Sequence, residues 1–328
     1  LKVLLIISLT LSYLSAEFDY VTVPPGADPS VSAEDGGNGF ANISESLGYE
    51  TVNFTEEDLK YFGDPKAVKG GTLRDQSTRY PATLRTLGKE SNYVENTTFE
   101  YLCYEPLLER HPLTWEPTVP RLASHWKISD DKKKFWFRIN PDARFSDGRR
   151  VTADDVVATW FLRMDETILS PSEQVDFGRF KEPIAESIYI ISVVTKEANW
   201  RNFKIFAYDN TILPAYYVDQ IDGSEFLEEY QFKLMPGSGP YTIKDENVVN
   251  QESYKLTRRE DFWGKDLSQN RYRYNFDAID FFVIKGNDAL TFEKYKKGEF
   301  DYYEVARSRV WVEECVADKM KAIDKGWM

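Results

Sequence analysis

Residues 135–157 read FWFRINPDARFSDGRRVTADDVV, and the local architecture is most legible there. Phe135, Phe137 and Ile139 alternate with Trp136 and Arg138, the period-two pattern of a strand with one buried face. Asn140-Pro141-Asp142 turns the chain. Ser146-Asp147-Gly148 makes a second tight turn, because Asn, Asp, Pro and Gly each favour turn backbone for a separate reason. Thr152 then stands at a helix N-cap with Asp155 at the third helical position, in the manner of a capping box that satisfies otherwise unpaired N–H groups. Val156, Val157, Trp160 and Phe161 give this helix an apolar face. Residues 135–165 therefore read strand, turn, turn, helix.

Working outward, Lys69–Arg74 (KGGTLR) is a turn entering a strand. Asn96-Thr-Thr-Phe99 caps a short helix with Phe99, Leu102 and Cys103 on one side, and Pro106 ends it. Residues 188–195, IYIISVVT, form a strand rich in β-branched residues. Pro236-Gly-Ser-Gly-Pro240 is a rigid turn into the strand Tyr241–Ile243, with Tyr254, Leu256 and Thr257 in its antiparallel neighbour. Ile279–Ile284 is a further strand and Thr291–Lys297 a helix. Gly298-Glu-Phe-Asp301 leads to a strand at Tyr302–Val305. Strands and helices that mix without strict alternation predict an α/β architecture with a mixed sheet, and no internal repeat is visible.

The first sixteen residues, LKVLLIISLTLSYLSA, are one Lys followed by an apolar run ending in small residues. That is the pattern of a secretory signal cleaved after Ala16, too short for an ordinary membrane span. No Cys follows it, so lipid anchoring is not expected, and the chain is expected to be soluble in the periplasm. Residues 17–48 are polar and rich in turn formers, a flexible leader with order beginning near Tyr49. The net charge of −13 argues against nucleic acid and anionic membrane surfaces as partners. The 49 aromatic residues read as core or as a site lined with flat rings. Cys103 lies in an apolar run and reads as a small hydrophobe; a bridge to Cys315 stays open. Asn42, Asn53 and Asn96 lie in N-x-S/T sequences.

Catalytic constellations are thin. His111 and His125 lack metal-ligand spacing and read as loop or surface histidines, so no metal or other cofactor is expected. No nucleophile elbow or phosphate loop occurs; Gly237-Ser-Gly239 lacks the required Lys. Asp154 and Asp155 point about 100° apart on a helix and cannot act together on one substrate. Their place in the first turn suits the helix dipole.

Several segments, in order and spacing, resemble the extracellular solute-binding proteins of family 5, the dipeptide- and oligopeptide-binding class. They are Lys69–Arg74; Tyr104-Glu-Pro-Leu-Leu108; Pro120-Arg-Leu-Ala123 with Trp126 and Ser129-Asp130; Phe135–Val157; Gly237-Ser-Gly-Pro-Tyr241; Arg258-Arg-Glu-Asp-Phe-Trp263; and Phe292 with Gly298-Glu-Phe-Asp301. Each alone is weak, and seven in order are strong. The resemblance covers about residues 65–305. Phe54–Gly63, ending in Tyr61-Phe-Gly63, with Pro65 is most similar to the subgroup that takes up peptide-like antibiotics such as microcin C.

The resemblance implies a periplasmic-binding-protein-like fold (type II, cluster C). Lobe I would comprise residues 49–90 and 236–305 with an inserted subdomain at 91–235. Residues 306–328 would be the hinge and start of a lobe II that is largely missing. It implies a monomeric binder, not an enzyme, that hands peptides or peptide-like compounds to an ABC permease and its ATPase subunits. In lobe I the expected ligand-binding residues are Asn92 and Tyr93, in the loop before the Asn96 helix, and Ser238 in the Gly-Pro turn; Tyr104 and Trp160 are expected in the core. A nickel, haem or sugar ligand on the same fold, or a secreted glycosidase or esterase, are the alternative readings.

Overall fold

The computed structural model describes residues 25–286 and 288–316; residues 1–24, which include the segment read as a secretory signal, residue 287 and residues 317–328 lie outside these. Eleven strands are formed among them: β1 (Thr72–Ser77), β2 (Leu108–Arg110), β3 (Pro117–Pro120), β4 (Ala123–Ile128), β5 (Lys134–Ile139), β6 (Ile184–Ala185), β7 (Ile190–Val194), β8 (Tyr241–Thr242), β9 (Val248–Val249), β10 (Ser253–Arg258) and β11 (Ala278–Val283). The helices are α1 (Phe40–Ile43), α2 (Glu56–Leu59), α3 (Val94–Cys103), α4 (Ala153–Met164), α5 (Pro171–Phe177), α6 (Trp200–Ala207), α7 (Ala215–Val218), α8 (Gly223–Glu229), α9 (Asp288–Lys296) and α10 (Ser308–Glu313).

The strands form a five-stranded mixed sheet, an antiparallel four-stranded sheet and a small hairpin. The mixed sheet runs β1-β11-β10-β8, with β9 also on β10. Only β1 and β11 are parallel, in register from Thr72 opposite Ala278 to Ser77 opposite Val283. The pairing of Thr257 with Thr242 joins β10 to β8 as the alternating residues predict. The second sheet runs β4-β5-β7-β6. Each sheet buries its own core. Phe135, Phe137, Ile139, Ile191 and Val193 pack with Val156 of α4 and Phe206 of α6. Leu256, Tyr254, Ile279 and Phe281 pack with α3, α7 and α8. The second core's residues run from Leu107 to Ile212. Helices α3, α7 and α8, expected in the inserted subdomain, thus bury their apolar faces on the mixed sheet.

The expected strand–turn–turn–helix unit is present. Asp155 accepts the Thr152 backbone N–H at 2.6 Å. Its other carboxylate oxygen takes the Ala215 N–H at 2.7 Å and ties α7 to α4. The buried face of α4 is rotated from the expected one. Ala158, Thr159, Leu162 and Arg163 are buried with Val156, whereas Phe161 is exposed. Similarly, α3 begins at Val94 with Tyr93 as its N-cap. Asn96, expected as the cap, is buried within the helix and donates to the carbonyls of Thr83 and Arg85, both at 2.8 Å. Cys103 and Tyr104 are core residues, and Cys103 and Cys315 are both free thiols.

Three further expectations are corrected. Residues 25–48, read as a flexible leader, pack against the outer face of the β4–β5–β7 sheet. Arg138 donates to the Gly36 carbonyl at 2.8 and 2.9 Å, the Asp28 N–H donates to Tyr189 Oη at 2.8 Å, and Phe40 sits edge-on to Tyr49 and His125. The polar, turn-rich composition hides this because the contacts join backbone groups to side chains 102 and 161 positions away. His125 is buried on β4 under that cover, 8% exposed, with Nδ1 3.0 Å from Ser124 Oγ. Tyr302–Val305 is not a strand. Instead, Asp301 docks on the free edge of β1: its N–H donates to the Arg74 carbonyl at 2.9 Å, and its carboxylate accepts the Arg74 N–H at 2.8 Å and the Arg74 guanidinium.

Candidate ligand cleft

Because β1 and β11 are parallel and in register, both strands end at the same margin of the sheet, and the carboxyl ends of such strands are where α/β sheets place ligands. A cavity of about 510 Å³ opens there. Gln76 and Thr78 reach it from the end of β1, Asp288 and Phe292 from α9, and Tyr303 and Arg307 from the segment after Asp301. Phe292, Tyr295 and Tyr303 form an aromatic group with ring centroids 5.4–6.5 Å apart. Gln76 Oε1 is buried yet accepts no hydrogen bond. An unpaired buried acceptor costs roughly 1–3 kcal/mol.

Next to Thr78 lies a polar ledge. Arg79 Nε is 3.1 Å from both carboxylate oxygens of Glu95, and the guanidinium sits 4.3 Å above the Tyr93 ring. Ser77 Oγ, 2.6 Å from the Arg79 carbonyl and 3.2 Å from Glu95, joins the ledge to β1. Burial pushes the Asp75 carboxyl up, partly offset by the hydrogen bond it accepts from the Gln76 N–H.

Of the three sequence-expected ligand residues, Tyr93 belongs to this ledge and is 37% exposed. Asn92 precedes it on the surface. Ser238 lies elsewhere: it is fully buried beside the Glu105 carboxylate. The turn around Ser238 presses on the end of α3, where a Cβ on Gly237 would overlap the Cys103 carbonyl oxygen. None of the three lines the cavity itself. Gln76 and Thr78 were missed because nothing in a strand's own pattern marks its last residues as cavity walls. The parallel partner β11, about 200 residues away, is what brings them to a shared margin.

Glu105 belongs to a buried charge network at the junction of the two cores. Arg121, 3% exposed, lies 2.9 Å from Glu105 and 3.6 Å from Glu109. It also donates to Asn270 Oδ1 at 2.8 Å and Tyr274 Oη at 3.0 Å. Trp263 Nε1 donates to Glu105 at 2.7 Å, and Arg273 grips Glu109 with two bonds of 2.8 and 2.9 Å. Burial pushes the Glu105 carboxyl up, against the pull of Arg121, Trp263 and Ser238. Burial also opposes the charge on Glu109, but Arg121 and Arg273 outweigh it and hold that carboxyl below its usual range. The tryptophan and arginine of the Arg258–Trp263 and Pro120–Ala123 motifs therefore meet in one structural staple. Among the described residues no group of three or more His, Cys, Asp or Glu is placed to hold a metal ion. No helix among them is long and apolar enough to cross a membrane.

Comparison with known proteins agrees with this geometry. The family profile described as bacterial extracellular solute-binding proteins, family 5 Middle, matches residues 117–319, more than half of the chain. A probable peptide-binding protein, YejA, from Agrobacterium fabrum is 28% identical over 250 residues, covering 75% of this chain and 39% of that protein. The peptidoglycan-binding protein YepA of the same organism is 28% identical over 253 residues, covering 75% and 40%. The chain thus spans about two fifths of the length of these curated relatives. Among solved structures, the oligopeptide-binding protein AppA of Bacillus subtilis, in complex with a nonapeptide, superposes with a TM-score of 0.64 at 21% identity, over 76% of this chain and 47% of that one. At that identity the likeness carries the fold: an α/β solute-binding architecture with mixed sheets.

Proposed function

The chain belongs to the bacterial extracellular solute-binding proteins of family 5, and from that premise we propose that it supplies the first wall of a ligand cleft. The protein captures peptides or peptide-like compounds outside the cytoplasm and delivers them to an ABC permease and its ATPase subunits. It does so as a monomer, by binding and conformational gating without chemical turnover. The observation that carries this reading is the cavity at the carboxyl ends of β1 and β11, walled by Gln76, Thr78, Phe292 and Tyr303. An extended peptide offers backbone N–H and C=O groups at regular intervals, which gives affinity with little demand on side chains. The peptide-binding names of the relatives YejA and AppA support the ligand class. In this reading a second wall closes over the ligand about the segment near Asp301, whose two-way bonding to Arg74 makes it a well-anchored hinge point. The similarity of Phe54–Gly63 to the microcin C-type subgroup extends the ligand class to peptide-like antibiotics.

Tyr93 and Asn92 act at the cleft rim in this account, Gln76 in the wall, and Ser238 in the support behind it. Gln76→Leu and Tyr93→Ala test this. Each should weaken peptide binding by about tenfold, equivalent to the loss of one good hydrogen bond or aromatic contact. Neither should lower the urea midpoint, since Gln76 gives up no internal bond through Oε1 and Tyr93 is at the surface. Unchanged peptide affinity in both variants would remove the cavity from the account.

A further inference from the structure

The cavity at the carboxyl ends of β1 and β11 carries a sign of charge. Among the described residues of its wall, Asp288 and Glu293 of α9, Glu304, and Glu314 at the end of α10 bring carboxylates, and Arg307 is the one cation. Two of these acids are matched inside the chain. Asp288 takes the Arg307 guanidinium at 2.7 Å, and Glu293 takes Lys296, one turn on along α9, at 2.5 Å. Both stay within reach of solvent, with side chains 44% and 58% exposed. Glu304 is exposed on the same wall and forms no ion pair among the described residues. With Lys296 and Arg307 both counted, the four carboxylates keep an excess of two negative charges. The rings beside them suit a cation. Tyr303 Oη lies 3.5 Å from the Asp288 carbonyl oxygen, and Lys296 Nζ sits 5.0 Å from the centre of the Phe292 ring. The chain thus already sets a guanidinium on one carboxylate of this wall and an ammonium over one of its rings.

The face of an aromatic ring is electronegative and attracts ammonium and guanidinium groups. A cleft lined by one sign of charge between walls of low dielectric focuses that field on whatever enters it. We infer that this cavity selects, among peptides, those that carry a lysine or arginine side chain and disfavours acidic ones, with Glu304 as the residue that meets the basic group. The inference rests on the peptide-cleft reading above: the cavity and its aromatic wall make the site, and the carboxylates decide which charge it takes. Asp288 and Glu293 keep their internal cations and shape the surrounding field. The Arg79–Glu95 pair on the rim is neutral as a unit, so the preference belongs to the cavity wall and not to the ledge beside it.

The test offers the protein, at the length its cell makes it and stripped of ligand, an equimolar pool of random pentapeptides, and compares the bound and free fractions by mass spectrometry. Peptides with one Lys or Arg should be retained about tenfold over peptides of matched composition with one Asp or Glu, an attraction and a repulsion each on the scale of a partly exposed ion pair. Raising the salt to about 0.5 M should shrink that ratio, because these charges are open to screening. Glu304→Gln should cut the ratio about threefold and Glu304→Lys should cut it further. The ratio is read within one protein sample, so a general loss of folded protein does not imitate the effect. Equal retention of basic and acidic peptides, or a ratio that Glu304→Lys leaves unmoved, would overturn the inference and leave the peptide reading standing. Retention of no peptide at all would take both down.

Discussion

Replacing Arg121 by Ala should be among the most damaging single changes in the chain, and its size can be worked from the buried network. Arg121 is 3% exposed and Glu105 wholly buried, 2.9 Å apart. The substitution removes that ion pair, the 2.8 Å bond to Asn270 and the 3.0 Å bond to Tyr274. It leaves Glu105 with the Trp263 N–H as its remaining well-formed hydrogen bond. Removing one partner of a buried pair costs about 3–5 kcal/mol, because a charge stays behind in a medium that cannot solvate it. A control is at hand in Arg271, which bonds Glu56 at 2.7 Å with both side chains largely in water; there Arg271→Ala should cost at most about 1 kcal/mol. Urea denaturation at pH 7 measures both. The pH dependence supplies a second check. Burial already raises the Glu105 carboxyl, and without Arg121 it rises further above its unfolded value of about 4.3. A raised acid binds more protons folded than unfolded, so its stability contribution falls as pH rises through that window. Acidifying Arg121→Ala from pH 7 toward pH 5 should therefore recover part of the loss. A cost within 1 kcal/mol of Arg271→Ala, or a deficit that does not change with pH, would refute the assignment of Arg121 as the staple.

Thr152→Ala should lower stability by about 0.5–2 kcal/mol through loss of the helix cap, read from the denaturation midpoint; no change would mean that the α4 start is held by Asp155 alone. Burial, with a smaller push from Arg138, lowers the His125 imidazole to about 4. Because the folded state then resists protonation, stability should be lost as pH falls from about 6.5 toward 4, by up to about 3 kcal/mol; His125→Phe should flatten that loss, and an unchanged profile would show that another group carries it. Gly237→Ala should cost about 1–3 kcal/mol by overpacking against the Cys103 carbonyl, a prediction that fails if the melting temperature is unmoved.

The sequence revealed elements whose signal is local. The alternation of Phe135, Phe137 and Ile139 and the Thr152–Asp155 spacing need only a few neighbouring residues, and β5 and α4 stand where they predict. The order of seven short motifs carried the family, since order survives when individual residues drift. What stayed hidden depends on partners far along the chain. The role of Arg121 is set by Asn270 and Tyr274, about 150 residues away, and the packing of residues 25–48 depends on Arg138 and Tyr189. Ser238 looked like an accessible turn hydroxyl because the turn's composition says nothing of the α3 end pressed against it. Phe161 looked buried because an apolar residue at helical spacing does not reveal how wide the buried stripe is.

The central claim is that the cleft holds peptide. It is tested most directly by isolating the protein from its native cells under mild conditions, in whatever length the cell makes it, and identifying by mass spectrometry what is released on unfolding. The account predicts short peptides or peptide-like compounds, at one site per molecule, and a melting temperature that rises when the stripped protein is given a peptide pool, since ligand holds only the folded form. Release of sugar, haem or metal with no peptide, or chemical conversion of the added peptides, would contradict it.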